Sequence, residues 1–597
     1  MNDNMGNKMK RVCIVLSILG WFALSSIALE KPNRDALKPE QPNVVFFLID
    51  DLSHLGVSAY GANRISSNQG IFTNEYVSTP RIDALGADGL RCEFAYAYPL
   101  CEPSRVALMT GMNNDRNFIQ AKALHDSHVT FGDVFQRAGY VTGITGKWKQ
   151  SRGTQEFPGK EYVAQFGWDE FFCFDVVGEG KRMIEPFLVD NGKIQKYTGL
   201  DSQTGRRYYG PDLFNRYALD FIERHQDEPF FLYYPMVLVH DEHTPTPDTR
   251  PKVLFDEFDV DKPAQYGSMT GDERRYFPDM LRYMDKMIGQ ILDQLDALGL
   301  SENTLVVVMG DNGTKECFSH VFPDGTCVSG GKGSTREQGL RVPLLLRWPG
   351  RIPAGQLYTG MVNITDLYPT LCEAIGVEPA YADQLDGLSF LQQAMGLQKK
   401  AHRNEIYTWY NANRSIANQD GLLRYAHTPW FKRYAPHNGF PAGRFFDLRE
   451  DPNERAGARV VKYKWDDWHY AGLDISQLTD EQKRAFDHLG NVLEAHRFVA
   501  VEDLKIEPAS SSLRVGEMIQ LDYQVVPEQG TRTSVIWKSS DSSIACVDKF
   551  GVLRAQQEGD VTISVYSWDD AYPVSSDISP AFSETGVSDS LRVSIRP

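Results

Sequence analysis

Val44-Val45-Phe46-Phe47-Leu48-Ile49-Asp50-Asp51 is a run of six apolar residues leading directly into two carboxylates. Unbroken apolar character, without alternation, is the mark of a parallel strand covered on both faces. Thr304-Leu305-Val306-Val307-Val308-Met309 repeats the design and runs into Gly310-Asp311-Asn312-Gly313. Tyr140 to Thr145, Phe230 to Leu238 and Val342 to Leu346 read as further strands. Between them lie helical patterns, clearest over Tyr276 to Leu298, where Met280, Leu281, Met284, Met287, Ile288, Ile291 and Leu292 recur at helical spacing and read as core. Alternating strands and helices predict an α/β fold over about 42–380. The carboxyl ends of strands in such a sheet border its ligand crevice. Asp50, Asp51, Asp311 and Asn312 gathered there would repel one another and lose solvation unless a cation sat between them. All-oxygen ligation suits Ca²⁺ or Mg²⁺ better than zinc. One Asp after one strand is more often a turn former or a cap, so the pair of oxygen-rich strand ends carries the inference.

Outward from that core the composition changes. Residues 383–500 are shorter-segmented and more polar, with strands expected at Glu405 to Trp409, Leu422 to Ala426 and Arg444 to Leu448 and a helix from Thr479 to Phe498, a smaller α+β sheet domain. Residues 501–597 are rich in Ser, Thr, Val and Asp and read as a β-sandwich. The order Leu513 to Gly516, Pro527, Val535 to Ser540, Ile544 to Val547 and Gly551 to Gly559 resembles the bacterial immunoglobulin-like module, for which a spacer or adhesive role is expected. At the other end, Lys8, Lys10 and Arg11 precede an apolar run from Val12, and Ser26-Ile27-Ala28 offers small residues where a signal peptidase reads. A cleaved signal peptide over 1–28 follows, with the α/β domain over 29–382, no stable membrane span, and a periplasmic, cell-surface or secreted destination. Export permits disulfides, and Cys92, Cys101, Cys173, Cys317, Cys327, Cys372 and Cys546 form an odd set that leaves one thiol over if the rest pair. Cys317 and Cys327 flank a polar loop and are candidates for one pair.

The whole chain has 597 residues, is 42% apolar and 24% charged, and carries a formal charge of −17. That balance excludes a disordered or coiled-coil protein and argues against nucleic acid as a partner, while leaving room for a cationic pocket that takes a small anion.

The most informative string is Cys101-Glu102-Pro103-Ser104-Arg105, followed by Val106-Ala107-Leu108-Met109-Thr110-Gly111. Pro103 suits a first helical turn, which puts Cys101 at a helix N-terminus favourable to anions, with Arg105 on the same face and able to reach back to the cysteine. This string resembles the maturation signature of the type I, formylglycine-dependent sulfatases of the alkaline phosphatase superfamily. Thr79 to Leu85, Gly146-Lys147-Trp148, Gly331 to Thr335, Arg341-Val342-Pro343 and Phe446-Asp447-Leu448 with Asp451-Pro452 resemble further blocks of that family in the same order.

The resemblance implies an alkaline-phosphatase-like α/β domain and an exported sulfuric-ester hydrolase. Cys101 would be oxidised to Cα-formylglycine by a formylglycine-generating maturation enzyme, and its hydrate would attack sulfur, the second hydroxyl allowing release. Asp50, Asp51, Asp311, Asn312 and the modified Cys101 would hold the divalent cation, usually Ca²⁺. Arg105 and Lys147 would orient the diol, Lys332 would grip sulfate, and His240 would protonate the leaving oxygen. Where the family commonly has Gly-Lys-Trp-His, this chain has Gly146-Lys147-Trp148-Lys149. On a strand end Lys147 and Lys149 share a face, so Lys149 is a tuned base, or binds sulfate only, or another group such as His54 is the base, with His243 a weaker candidate. A sulfated polysaccharide or glycosaminoglycan saccharide is the expected substrate, read by loops such as Cys173 to Arg182 and Asp241 to Arg250. The alternatives are a phosphonate or phosphodiester hydrolase of the same superfamily and a non-catalytic carbohydrate-binding surface protein.

Overall fold

In the computed structural model the apolar run from Asn43 to Ile49 is strand β1, with all seven residues buried. The structure describes residues 41–68, 70–118, 122–151, 161–260, 272–412, 421–462, 468–507, 510–568 and 586–597. The signal peptide expected over 1–28 lies outside these residues. Nine more strands join β1: β2 (Leu90–Tyr96), β3 (Val141–Lys147), β4 (Glu170–Phe174), β5 (Phe187–Asp190), β6 (Lys193–Lys196), β7 (Phe230–Pro235), β8 (Thr304–Gly310), β9 (Leu344–Arg347) and β10 (Gln356–Asn363). Their order across the sheet is β10-β2-β9-β8-β1-β7-β3-β4-β5-β6. β1 runs parallel to β7 and β8, and β3 runs parallel to β7 and β4.

Successive residues of a strand point to opposite faces. Val44, Phe46 and Leu48 accordingly enter one apolar layer and Val45, Phe47 and Ile49 the other. Helices α1 (Pro80–Ala87), α2 (Cys101–Thr110), α3 (Asn114–Asn117), α4 (Phe131–Arg137), α5 (Gly210–Arg224), α6 (Phe277–Ala297) and α7 (Leu367–Ala374) accompany the sheet. Val106 to Met109 of α2 join the first layer, and Met280, Met284, Met287 and Ile288 of α6 fill the second, the core role their spacing predicts. The strand expected at Val342 to Leu346 is β9, and it runs antiparallel to β8. The chain leaves β8 and returns to β9 at the same edge of the sheet without a crossover helix, so β9 must run back the other way.

The C-terminal sheet is β11 (Ile406–Asn411), β12 (Leu422–His427), β13 (Phe431–Tyr434) and β14 (Arg444–Asp447), antiparallel throughout. Helix α8 (Asp480–Ala495) starts in a capping box between Thr479 and Gln482 and buries Leu489 and Leu493 against Trp409 and Phe445. From Asp503 to Arg596 short strands enclose a separate core that includes Leu504, Trp537, Leu553, Val565 and Ile595. No helix among the described residues is long and apolar enough to cross a membrane.

All seven cysteines from Cys92 to Cys546 are unbonded, so the odd count singles out no thiol. The Cys317–Cys327 pairing does not form. Val321 faces Cys327 across the hairpin and Ser319 faces Ser329, which leaves Cys317 at the opposite end of the ladder. A separation of four residues at roughly 3.3 Å each exceeds disulfide reach.

Candidate functional site

The register of β1 builds the site. Ile49 pairs with Gly310, so β1 and β8 end side by side and deliver Asp50-Asp51 next to Asp311-Asn312. Leu48 pairs with Pro235 of β7, and beyond the strands the Asp50 N–H donates to Leu238 O while Val239 N–H donates to Asp50 O, which brings His240 to the same edge. β3 lies beyond β7 and ends at Lys147. Gly146 precedes it with φ +124°, and a Cβ there would fall 2.1 Å from Pro235 O, so only glycine fits between the strands. β2 runs parallel to β8 through β9 and leads at this edge into α2, whose first residue is Cys101.

The groups so gathered are almost wholly buried. Lys147 Nζ donates to Asp50 Oδ2 at 2.5 Å. Arg105 Nη2 donates to Asp311 Oδ2 at 2.8 Å and Nη1 to Lys147 O at 3.0 Å. The Arg105 guanidinium thus bridges β8 and β3 instead of folding back on Cys101. Lys332 Nζ donates to Asp51 Oδ2 at 2.6 Å, and Asn312 Nδ2 donates to Asp51 Oδ1 at 3.0 Å. His240 Nε2 lies 3.7 Å from Asp51 Oδ2. β3 stops before Lys149, which turns into the left-handed region at φ +60° rather than continuing as a strand. Its ammonium still reaches the site, 3.8 Å from Cys101 Sγ and 3.4 Å from Glu102 Oε1.

A cation fits this geometry. One oxygen of Asp50, one of Asp311 and the Cys101 sulfur lie within 4.8 Å of one another, and Asp50, Asp51 and His240 form a second such group. Asp50 Oδ1 and Asn312 Oδ1 are buried without a hydrogen-bond partner, which is costly unless something else takes their lone pairs. Burial and the neighbouring Asp50 push the Asp311 carboxyl up to about 7. Burial also opposes the charge of Asp50, but Lys147, His240, Arg105 and Lys332 outweigh it and hold that carboxyl well below its ordinary range. A positive charge between the carboxylates relieves the conflict at Asp311. Burial, then Glu102, raises the Cys101 thiol, which therefore stays protonated at neutral pH. Burial disfavours the Lys149 cation, and the Glu102 carboxylate 3.4 Å away favours it.

A family profile described as Sulfatase matches residues 42–377, more than half of the chain. The chain belongs to the sulfatase family. Sulfatases are sulfuric-ester hydrolases, and the family generally uses a formylglycine and a divalent metal. A profile described as N-sulphoglucosamine sulphohydrolase, C-terminal, matches residues 332–464, and one described as Bacterial Ig-like domain (group 2) matches residues 500–571. The sulfatase is 29% identical over 390 residues to the N-acetylgalactosamine-6-sulfatase of Canis lupus familiaris, covering 60% of this chain and 67% of that protein. It is 26% identical over 525 residues to the N-acetylgalactosamine-6-O-sulfatase of Bacteroides thetaiotaomicron, covering 75% and 95%. Its fold is shared with a solved sulfatase from Pseudoalteromonas sp. at TM-score 0.52 and 21% identity, covering 77% of this chain and 91% of that one. A structure in complex with D-glucosamine-2-N,6-O-disulfate matches at TM-score 0.55 and 20% identity, covering 76% and 98%.

Cys101, Arg105, Lys147, Lys149, His240, Lys332, Asp50, Asp51, Asp311 and Asn312 lie at this one edge of the sulfatase, whereas His54, the alternative base, does not join them. Its Nδ1 sits 3.3 Å from Arg341 O and its ring packs edge-on against Tyr60. His243 packs edge-on against the stacked rings of Phe277 and Phe318. The structure adds residues that sequence reasoning missed. Arg182 Nη2 lies 2.8 Å from His240 Nδ1, and the Asp241 carboxylate lies 2.6 Å from the same nitrogen, while Nε2 is turned toward Asp51. Burial holds His240 neutral, down at about 4. Lys315 pairs with Asp241. Lys315 follows Asp311 to Thr314 directly and could have been read from that string, but nothing in the sequence places Arg182 beside His240.

Proposed function

We propose that the chain is an exported sulfatase that hydrolyses sulfate esters on sulfated glycosaminoglycan or polysaccharide saccharides, with residue 101 matured to Cα-formylglycine beside Ca²⁺ or Mg²⁺. The observation that carries this reading is the convergence of Cys101 with two partnerless ligand oxygens and four cationic side chains at one strand edge. Asp50, Asp51, Asp311 and Asn312 are the proposed metal ligands, with residue 101 completing the shell. When bound, the cation polarises a sulfate oxygen and the hydrated aldehyde supplies the nucleophilic oxygen.

The chain's own groups do the rest. Arg105 and Lys147 hold the ligand carboxylates beside residue 101. Lys332 and Lys149 present ammonium groups to the sulfate and offset the charge that builds on it. Glu102 beside Lys149 persists whatever the chemical state of residue 101, which favours a protonated, sulfate-binding Lys149 over a general base. His240 turns Nε2 into the site, where it is placed to protonate the leaving alcohol oxygen.

The names of the relatives direct the choice of substrate, with 6-O-sulfated N-acetylgalactosamine saccharides first. The apolar N-terminal run supports export, with 1–28 cleaved and domains over 29–382, 383–500 and 501–597. The deciding assay compares an aryl sulfate with an aryl phosphate ester, followed by a panel of defined sulfated saccharides. Turnover of the sulfate with little of the phosphate is expected, and preference for the phosphate ester overturns the reading.

A further inference from the structure

Immunoglobulin-like modules on enzymes are read as spacers, and a spacer keeps its surface solvated. Here one edge of the module meets the catalytic domain through one buried and one half-buried charge. Arg532, 4% exposed, donates from Nε to Asp115 O of α3 at 2.9 Å and lies over Trp568, itself fully buried. In return Arg116 Nη1 donates to Thr531 O at 3.2 Å. Lys549 Nζ donates to Asp133 at 2.9 Å, Gln165 O at 2.6 Å and His128 O at 3.3 Å, using all three of its donors around the start of α4. Tyr381 OH donates to Lys549 O at 2.8 Å and Gln384 Nε2 to Tyr523 OH at 2.7 Å. A guanidinium leaves water only at a cost that contacts such as the Arg532 bond to Asp115 O offset, and Lys549 has an oxygen for each donor, so this contact is a fixed one.

What the module grips matters more than the grip. Helix α2, which starts at Cys101, ends at Gly111 in the left-handed region, and α3 follows at once. Asn114 Nδ2 donates to Pro103 O in the first turn of α2 at 3.2 Å. Asn117 Nδ2 donates to Thr110 Oγ1 at 2.8 Å and to Met112 O at 3.1 Å. Arg532 therefore holds the carbonyl of the residue next to Asn114, and Asn114 holds a carbonyl two residues from Cys101.

We infer that the immunoglobulin-like module is a built-in brace of the nucleophile helix, with Arg532 a positioning residue for the sulfatase site, and that turnover depends on its docking. This goes beyond the proposed activity but uses it as a readout. A displacement of about 1 Å at a nucleophile costs up to about 100-fold in rate, so loosening α3 is felt in kcat.

The test compares full-length wild type with Arg532→Met, Arg532→Lys and, as a control on the exposed far side, Arg592→Ala. The formylglycine content at position 101 is matched by mass spectrometry. A small aryl sulfate, too short to touch the module, reports kcat and KM, and amide hydrogen exchange follows residues 111–118. Arg532→Met is expected to lower kcat about 5- to 50-fold with KM within about twofold and to speed exchange in α3, with Arg532→Lys recovering part of both and Arg592→Ala changing neither. If Arg532→Met fails to fold, Lys549→Met carries the same expectation from the α4 side. Unchanged kcat and exchange in a folded variant overturn the brace. If wild type itself leaves the aryl sulfate intact, the activity reading fails and exchange alone decides: faster exchange in α3 of Arg532→Met supports docking, and unchanged exchange overturns it.

Discussion

Charge is buried in two regions of this molecule, and the two bury it differently. At the strand ends, carboxylates, lysines and an arginine crowd together with Asp50 Oδ1 and Asn312 Oδ1 left without hydrogen bonds. At the face of the immunoglobulin-like module, every donor of Lys549 meets an oxygen. Matched donors make a durable contact. Bare acceptors gathered among carboxylates, as Asp50 Oδ1 and Asn312 Oδ1 are, mark a place suited to a cation, because a buried oxygen left bare costs about 1–3 kcal/mol. The difference separates chemistry from scaffolding within one chain.

The contrast breaks most visibly at Asp311. Asp311→Ala, or removal of divalent ions by a chelator, is expected to lower aryl sulfate turnover by about 1000-fold or more, with Ca²⁺ or Mg²⁺ restoring the chelated wild type but not the variant. Turnover that survives both treatments in a folded protein would remove the cation from the account. Lys149 comes next. Lys149→Ala is expected to cost about 10- to 100-fold in kcat/KM, and Lys149→Arg to retain most activity, because a cation and not a base is required. Equal losses in the two variants would return Lys149 to the role of base.

The smallest effect sharpens the scaffold side. Asp115 in α3 is buried, and burial, then Asp386, lifts its carboxyl to about 6 from an ordinary value of 3.8. A carboxyl raised on folding contributes its stability below the unfolded value and loses it as pH rises through about 6. Asp115→Asn cannot ionise, so its thermal midpoint is expected to match wild type near pH 4 and to exceed it at pH 7 by the equivalent of about 1–3 kcal/mol. A difference that does not change with pH would show that Asp115 is solvated or paired after all.

The sequence was most legible where one residue type fills a strand. The runs at Val44 to Ile49 and Thr304 to Met309 announce themselves because both faces of each strand are covered, and they fix the register that assembles the ligands. β2, β4, β5, β6 and β10 were not foreseen, since Arg91 and Glu93 interrupt β2, β6 is exposed throughout and β10 is only partly covered toward its start. The string Cys101 to Gly111 disclosed the nucleophile helix because its residues are contiguous. Arg182 on His240 and Arg532 on Asp115 were invisible, each pair joining residues 58 and 417 positions apart through the tertiary fold alone. Lys149 was placed on the right side of the pocket for the wrong reason: an extended strand was expected, and a left-handed turn brings its ammonium to Cys101.

Everything at the strand edge is arranged around the side chain of residue 101. Mass spectrometry of the peptide that contains it, taken from enzyme isolated natively and shown to cleave an aryl sulfate, is the most direct check. The account predicts a mass lowered by the exchange of a thiol for an aldehyde. Fully active enzyme that carries an intact cysteine there would contradict it.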